Sequence, residues 1–277
     1  MLGEEVKLAV SLITNDGAEW LSEWVNATHA ALQVDHEIII STAPENELVL
    51  REVFAHDNTV HFSGPFPKVK WGFDYLRGHM ANIKHALRYT NFTHAVWINS
   101  SNCWIRAVTS SWPGFLSNEE KTHCVPVPDT KTSAEWHWRI VASDPVVYDW
   151  ANKSGINEFC VHEHEGLFGN RKDWTKVADF LSQSDILAHN PLLPLGTEGY
   201  CCGALYRYPA EEFIPMSVAH KTGANITGVG RVFWGFPNEQ PRPTDIIELR
   251  KDPSKIMAKR IRRDANDPTW LECKRLL

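Results

Sequence analysis

What most constrains the fold of this chain is an alternation of β-rich apolar runs with amphipathic helical stretches through its N-terminal part. Val6 to Ile13 is mostly apolar and β-rich, Asn15, Asp16 and Gly17 form a turn, and Trp20, Leu21, Trp24, Val25, Thr28 and Leu32 then recur at helical spacing. Glu37 to Ser41 and Thr59 to Phe62 repeat the buried-strand signature on either side of a helical stretch from Glu45 to Phe54. After Pro65 and Pro67, the segment from Phe73 to Tyr89 places Leu76, Met80, Ile83 and Leu87 on one helix face, and Ala95 to Ile98 reads as a central strand. Strands alternating with helices predict an α/β fold with a mostly parallel, helix-covered sheet. Its ligands are expected where strands end and loops begin. Thr14 to Gly17 and Asn99 to Cys103 therefore fall beside the expected site.

Beyond Ser110 the alternation weakens. Prolines stand at 113, 126 and 128, an aromatic patch forms at Trp136-His137-Trp138, helices are expected over Pro145 to Lys153, Asp173 to Ser182 and Pro209 to Lys221, and Pro191 to Gly203 reads as loop. At 277 residues, one large α/β domain accommodates the whole chain, 1–277. With 28 Lys plus Arg against 34 Asp plus Glu the net charge is −6, which argues against nucleic acid or anionic lipid as a partner. No apolar run reaches the roughly 18 to 20 residues of a membrane helix, and acids stand where a secretory signal is basic, so a soluble, cytoplasmic chain is expected. The six cysteines, Cys103, Cys124, Cys160, Cys201, Cys202 and Cys273, are sparse and include an adjacent pair, and reduced thiols are expected.

Three groups of residues carry candidate chemistry. Glu211 and Glu212 open the helix expected from Pro209, where a carboxylate either faces a cleft or simply complements the helix dipole. Between Arg250 and Arg263 stand seven basic residues with Asp252 the only acid, a run suited either to a diphosphate or to a solvated helix face. His162-Glu163-His164-Glu165-Gly166 could place two histidines on one strand face, but no HExxH or CxxC spacing accompanies it, and Glu165 suits hydrogen bonding to sugar hydroxyls better than metal ligation. Twelve tryptophans offer flat faces for a core or for stacking on sugar rings. GxSxG, GxxxxGK[ST] and GxGxxG are all absent, which removes serine-hydrolase, P-loop and dinucleotide readings.

The segment KVKWGFDYLRGHMANIKHAL from Lys68 to Leu87, running on through Thr93-His94-Ala95-Val96-Trp97-Ile98-Asn99-Ser100-Ser101-Asn102, resembles the core-2/I-branching N-acetylglucosaminyltransferase and peptide O-xylosyltransferase family with its bacterial and viral relatives. Glu165-Gly166 before a Phe and a basic residue, Glu211-Glu212 before an apolar helix, and Ala258-Lys259-Arg260 with Arg263-Asp264 follow in the family's order. The resemblance implies a type A glycosyltransferase fold with a Rossmann-like sheet, in which residues 1–110 bind the nucleotide sugar and 111–277 bind acceptor and carry catalysis. It implies transfer, with inversion, from a UDP-sugar onto a glycan hydroxyl, with UDP-xylose and UDP-N-acetylglucosamine the favoured donors.

By the same resemblance Glu212 is the general base with Glu211 beside it, and Lys259 or Arg260 holds the diphosphate. Donor contacts are expected from Thr14, Asp16, Trp71, Asn102, Lys259, Arg260 and Arg263, and acceptor contacts from Glu165, Trp136 and Trp138. Most type A transferases bind manganese through an Asp-x-Asp loop, yet the corresponding loop here reads Asn99-Ser100-Ser101-Asn102-Cys103 and holds no carboxylate. No metal ligand and no cofactor beyond the UDP-sugar co-substrate is expected. The competing readings are a two-carboxylate glycoside hydrolase using Glu165 and Glu212, and a non-catalytic carbohydrate-binding protein.

Overall fold

A computed structural model describes residues 5–65, 73–110, 123–127, 129, 144–162, 165–189, 210–228, 232–233, 240–275 and 277. Its strands are β1 (Lys7–Ile13), β2 (Asp35–Thr42), β3 (Val60–Pro65), β4 (His94–Asn99), β5 (Cys103–Trp104), β6 (His123–Pro126), β7 (Glu158–Val161), β8 (Leu167–Asn170), β9 (Thr227–Gly228), β10 (Val232–Phe233) and β11 (Met257–Ala258). The helices are α1 (Ala18–Ala31), α2 (Pro44–Val53), α3 (Phe73–Tyr89), α4 (Pro145–Lys153), α5 (Arg171–Ser182), α6 (Ala210–Thr222), α7 (Pro243–Leu249) and α8 (Pro268–Lys274).

The central sheet has six strands in the order β3-β2-β1-β4-β8-β9. The first four run parallel, and β8 and β9 add antiparallel at one edge. The fold is therefore α/β with a mostly parallel sheet flanked by helices, and the sheet draws strands from both halves of the chain. Period-2 alternation sends neighbouring residues to opposite faces. Leu8, Val10, Leu12, Ile38, Ile40, Val96 and Ile98 join Trp20, Leu21, Trp24 and Val25 of α1 in one core. Ala9, Ile39, Ala95 and Trp97 join Leu76, Met80 and Ile83 of α3 in the other. Each of these large apolar side chains contributes about 1.5–3 kcal/mol on full burial.

Under the carboxyl ends of the parallel strands, α3 is pinned by polar groups as well as by its apolar face. The Asn82 amide donates to Ser11 Oγ and Leu12 O, each at 3.0 Å, and accepts from Ser41 Oγ at 2.6 Å, while Ser11 Oγ lies 2.8 Å from His79 Nδ1. His79 stacks on Trp97 (ring centroids 4.5 Å apart), and Trp97 stacks in turn on Trp174 of α5 (4.9 Å). Networks of this kind specify one register because each buried polar group demands its partner.

Two expectations need correction. The thiols are not all reduced: β6 and β7 pair antiparallel with Cys124 directly opposite Cys160, and that register closes a disulfide between them. The basic run from Arg250 to Arg263 is not a helix face either, because it leaves the end of α7 and passes through β11. Its charges disperse among local partners: Arg250 donates to Ile105 O, Glu272 and Cys273 O, Lys251 pairs with Glu248, and Lys255 pairs with Asp252. Among the described residues no helix is long and apolar enough to cross a membrane.

Candidate functional site

Strand order reverses between β1 and β4: β2 and β3 lie to one side of β1, and β4, the fourth strand in sequence, lies on the other. The loops leaving β1 and β4 are neighbours there, at the carboxyl ends of the strands, the place where open α/β sheets carry a ligand crevice. Thr14 and Asp16 follow β1, and Asn99 to Asn102 end β4. Their side chains interlock across the reversal. Thr14 Oγ1 lies 3.0 Å from both Asp16 Oδ2 and Ser100 Oγ, the Asp16 backbone N–H donates to Thr14 Oγ1 at 2.9 Å, and Ser100 Oγ donates to the Asp16 carboxylate. Two indoles of α1 hold the β4 loop from beneath: Trp20 Nε1 donates to Ser100 O at 3.0 Å and Trp24 Nε1 to Asn102 O at 2.7 Å.

Charged groups from remote parts of the chain converge on this crevice. Arg263 Nε lies 3.1 Å from Asp16 Oδ2, with the guanidinium side chain still 47% exposed. Lys259 forms an ion pair with Glu165 in which both side chains are nearly closed off from solvent, at 6% and 8% exposure. Asn99 Nδ2 donates to the other oxygen of Glu165 at 2.6 Å.

Backbone geometry at two points makes this convergence possible. Gly166, with φ of 92°, lets the chain turn directly after Glu165, and its N–H donates to Trp97 O at 2.6 Å. Arg260 is the described non-glycine residue with positive φ, 62°. The bend it makes brings the Ile261 N–H to Ser101 O at 2.9 Å and turns Lys259 inward. Left-handed backbone costs a non-glycine residue about 1–2 kcal/mol, and such strain concentrates at functional sites.

Tyr75, in the first turn of α3, marks the same locus electrostatically. Burial, then the negative charges of Glu165 and Glu211, push its hydroxyl well above the usual phenol range, with Asp16 adding to the rise and Arg263 opposing it. A phenol in that state stays protonated and is able to donate a hydrogen bond. Glu211 is 4% exposed and Glu212 is half-buried, both in the first turn of α6, and Glu212 O accepts from the His162 N–H at 3.2 Å. Asn102 is 1% exposed, and neither polar atom of its amide meets a hydrogen-bond partner among the described residues. An unmet buried amide costs about 1–3 kcal/mol, a demand that a ligand can satisfy.

Of the residues singled out from the sequence, Thr14, Asp16, Asn102, Glu165, Lys259 and Arg263 thus stand at one crevice, with Glu211 sensed there by Tyr75. Trp71, Trp136, Trp138, Glu163 and His164 lie outside the described residues. Sequence reasoning missed Tyr75, and it treated Asn99 and Ser100 only as members of a loop lacking carboxylates. The signal for Tyr75 was its place beside Leu76 at the start of a helix whose apolar stripe alone drew attention. Cys124, Cys160 and His220 also approach one another closely enough to suggest a metal cluster, but the two sulfurs are bonded to each other and cannot both act as thiolate ligands. No protein-family model matches this chain, and no curated protein is significantly similar to it.

Proposed function

We propose that the chain is an inverting glycosyltransferase of the type A fold that moves a sugar, xylose or N-acetylglucosamine, from a UDP-sugar to a hydroxyl of a glycan acceptor. The observation that carries this reading is the assembly of Asp16, Glu165, Lys259 and Arg263 at the strand-order reversal, where open α/β sheets take nucleotides. Arg263, half-exposed beside Asp16, is open to an arriving diphosphate. Lys259 and Arg260 complete its neutralisation as charge builds on the leaving UDP. The buried Asn102 amide and the protonated Tyr75 hydroxyl supply directional contacts to the donor. Glu212, or Glu211 beside it, takes the acceptor proton as the oxygen attacks the anomeric carbon. Trp136 and Trp138 remain the proposed acceptor platform.

The carboxylates at the crevice are engaged by protein cations rather than open to a divalent ion: Asp16 pairs with Arg263 and Glu165 with Lys259, so an arriving diphosphate would compete with these carboxylates for the two cations. The hydrolase alternative needs Glu165 and Glu212 to act as a pair on one sugar, whereas Glu165 is already engaged by the Lys259 ammonium and the Asn99 amide. A cytoplasmic place for the reaction has the Cys124–Cys160 bond against it, since cytosolic thiols are kept reduced.

The test is UDP release from UDP-xylose and UDP-N-acetylglucosamine in the presence of a chelator and a glycan panel, comparing the wild type with Glu212→Gln and Glu211→Gln. Removing the base should lower turnover by about 10² to 10⁴ with UDP affinity retained. Wild-type turnover in both variants would remove this pair from the chemistry.

A further inference from the structure

We propose that Cys103 and Cys273 form a second disulfide, which locks the C-terminal helix α8 to the strand that leaves the β4 loop. In this structure both are buried free thiols whose Sγ atoms lie 2.7 Å apart although 170 residues separate them in sequence. Non-bonded heavy atoms rest at roughly 3.5–4.0 Å, and sulfur is no smaller than carbon. A covalent bond brings two sulfurs to about 2.05 Å. The fold therefore holds this pair closer than two thiols can rest, on the path to the bond. Both residues are closed off from solvent, at 2% for Cys103 and 0% for Cys273.

The surroundings hold both partners in place. Cys103 lies on β5 with Ala258 of β11 as its antiparallel partner, so the strand it pairs with is the one that leads straight into Lys259. Cys273 is fixed through its backbone, because Arg250 Nη2 donates to Cys273 O and to Glu272 O, each at 2.8 Å, while Arg250 Nε donates to Ile105 O at 2.6 Å. One guanidinium thus ties the segment after β5 to the last turn of α8. A bond across this frame would fasten α8 to β5, the strand that pairs with Met257 and Ala258 just before Lys259.

In forming the bond each thiol loses its proton and one electron, a single S–S bond replaces two S–H bonds, and a small-molecule disulfide of the glutathione class is reduced to two thiols. The thiolate is the attacking species, and burial raises the Cys103 thiol far above its usual range. Exchange is therefore suppressed once the chain has folded, and the bond must close during folding. The same oxidant serves Cys124–Cys160, whose closure already calls for an oxidising setting.

The test needs no assay of activity and is independent of the transferase reading. The full chain is produced in an oxidising periplasm with oxidised glutathione present throughout. It is then alkylated under denaturing conditions without reductant, digested, and mapped by mass spectrometry, with Cys124–Cys160 as the internal control. The expected result is a linked pair of peptides carrying Cys103 and Cys273, neither of them alkylated, in a yield like that of the control. Recovery of both as alkylated thiols beside a bonded Cys124–Cys160 would overturn the proposal, as would linkage of either residue to Cys201 or Cys202.

Discussion

Replacing Lys259 with methionine removes the ammonium from a closed ion pair while keeping most of the side-chain volume. Its partner Glu165 is 8% exposed on the side chain and would retain, of the bonds described above, the Asn99 amide at 2.6 Å. A buried pair broken on one side typically costs about 3–5 kcal/mol, because the remaining charge has lost both water and counter-charge. Large domains lose about 2–4 °C of Tm per kcal/mol, so the expected drop is on the order of 10 °C. Neutralising the partner should reverse most of it. The double variant Lys259→Met/Glu165→Gln is expected to recover at least half of the loss, since an amide at 165 needs hydrogen bonds but no counter-charge. A double-mutant cycle by urea denaturation with circular dichroism reads the coupling directly. A single variant within about 0.5 kcal/mol of wild type, or additive effects in the cycle, would refute a buried ion pair at this position.

Three further outcomes follow from the packing and titration of the fold. A Cβ built on Gly169 would lie 2.3 Å from Ile226 Cδ1 and 3.4 Å from Asn225 O, so Gly169→Ala should destabilise by about 1–3 kcal/mol; an unchanged urea midpoint would contradict that crowding. His36 Nδ1 donates to Val34 O at 2.9 Å and its Nε2 lies 2.7 Å from His29 Nδ1, and burial first, with the neighbouring His29 charge adding, lowers its pKa below the ordinary 6.5. The stability it contributes is present above that value and is lost as pH falls toward the folded-state pKa. Thermal melts should therefore drop as pH falls below the ordinary 6.5 in the wild type and less steeply in His36→Gln, and parallel slopes would remove His36 from the effect. Arg250→Met severs four donor contacts that hold β5 against α8, and a loss of about 3–5 kcal/mol is expected in chemical denaturation; a loss under 1 kcal/mol would make that guanidinium peripheral.

The parallel half of the fold is legible in the sequence because its signals are local and redundant. KLAVSLI and DHEIIIST are β-rich, nearly continuous apolar runs, and the spacing of Trp20, Leu21, Trp24 and Val25 can be satisfied only by a helix lying on a sheet. The helices over Pro145–Lys153 and Phe73–Tyr89 also agree with their sequence limits, each framed by proline or by a change of periodicity. Strands β8 and β9 are not legible, since two to four residues including glycine carry no periodicity, and what makes them strands is the edge that β4 offers. The loops after β1 and β4 can be named from the sequence, but not the reversal that makes them neighbours, because strand order is a property of the assembled sheet.

The basic run shows the same limit. Seven cations look equivalent in sequence, yet Arg250 turns inward to carbonyls because α8 happens to end there, whereas Lys259 and Arg263 pair with the carboxylates at the crevice. The bond between Cys124 and Cys160 was likewise beyond reach, depending on the register of two short strands 36 residues apart in sequence.

The most direct measurement is calorimetric titration of UDP into the full chain in EDTA, repeated with manganese and with Arg263→Ala. Micromolar binding in EDTA, unchanged by manganese and weakened about tenfold or more in the variant, is the result expected of a diphosphate held by charge-assisted bonds to protein cations. Absence of UDP binding in both buffers, or binding that appears only with manganese, would contradict a metal-free nucleotide-sugar site at the β1/β4 reversal.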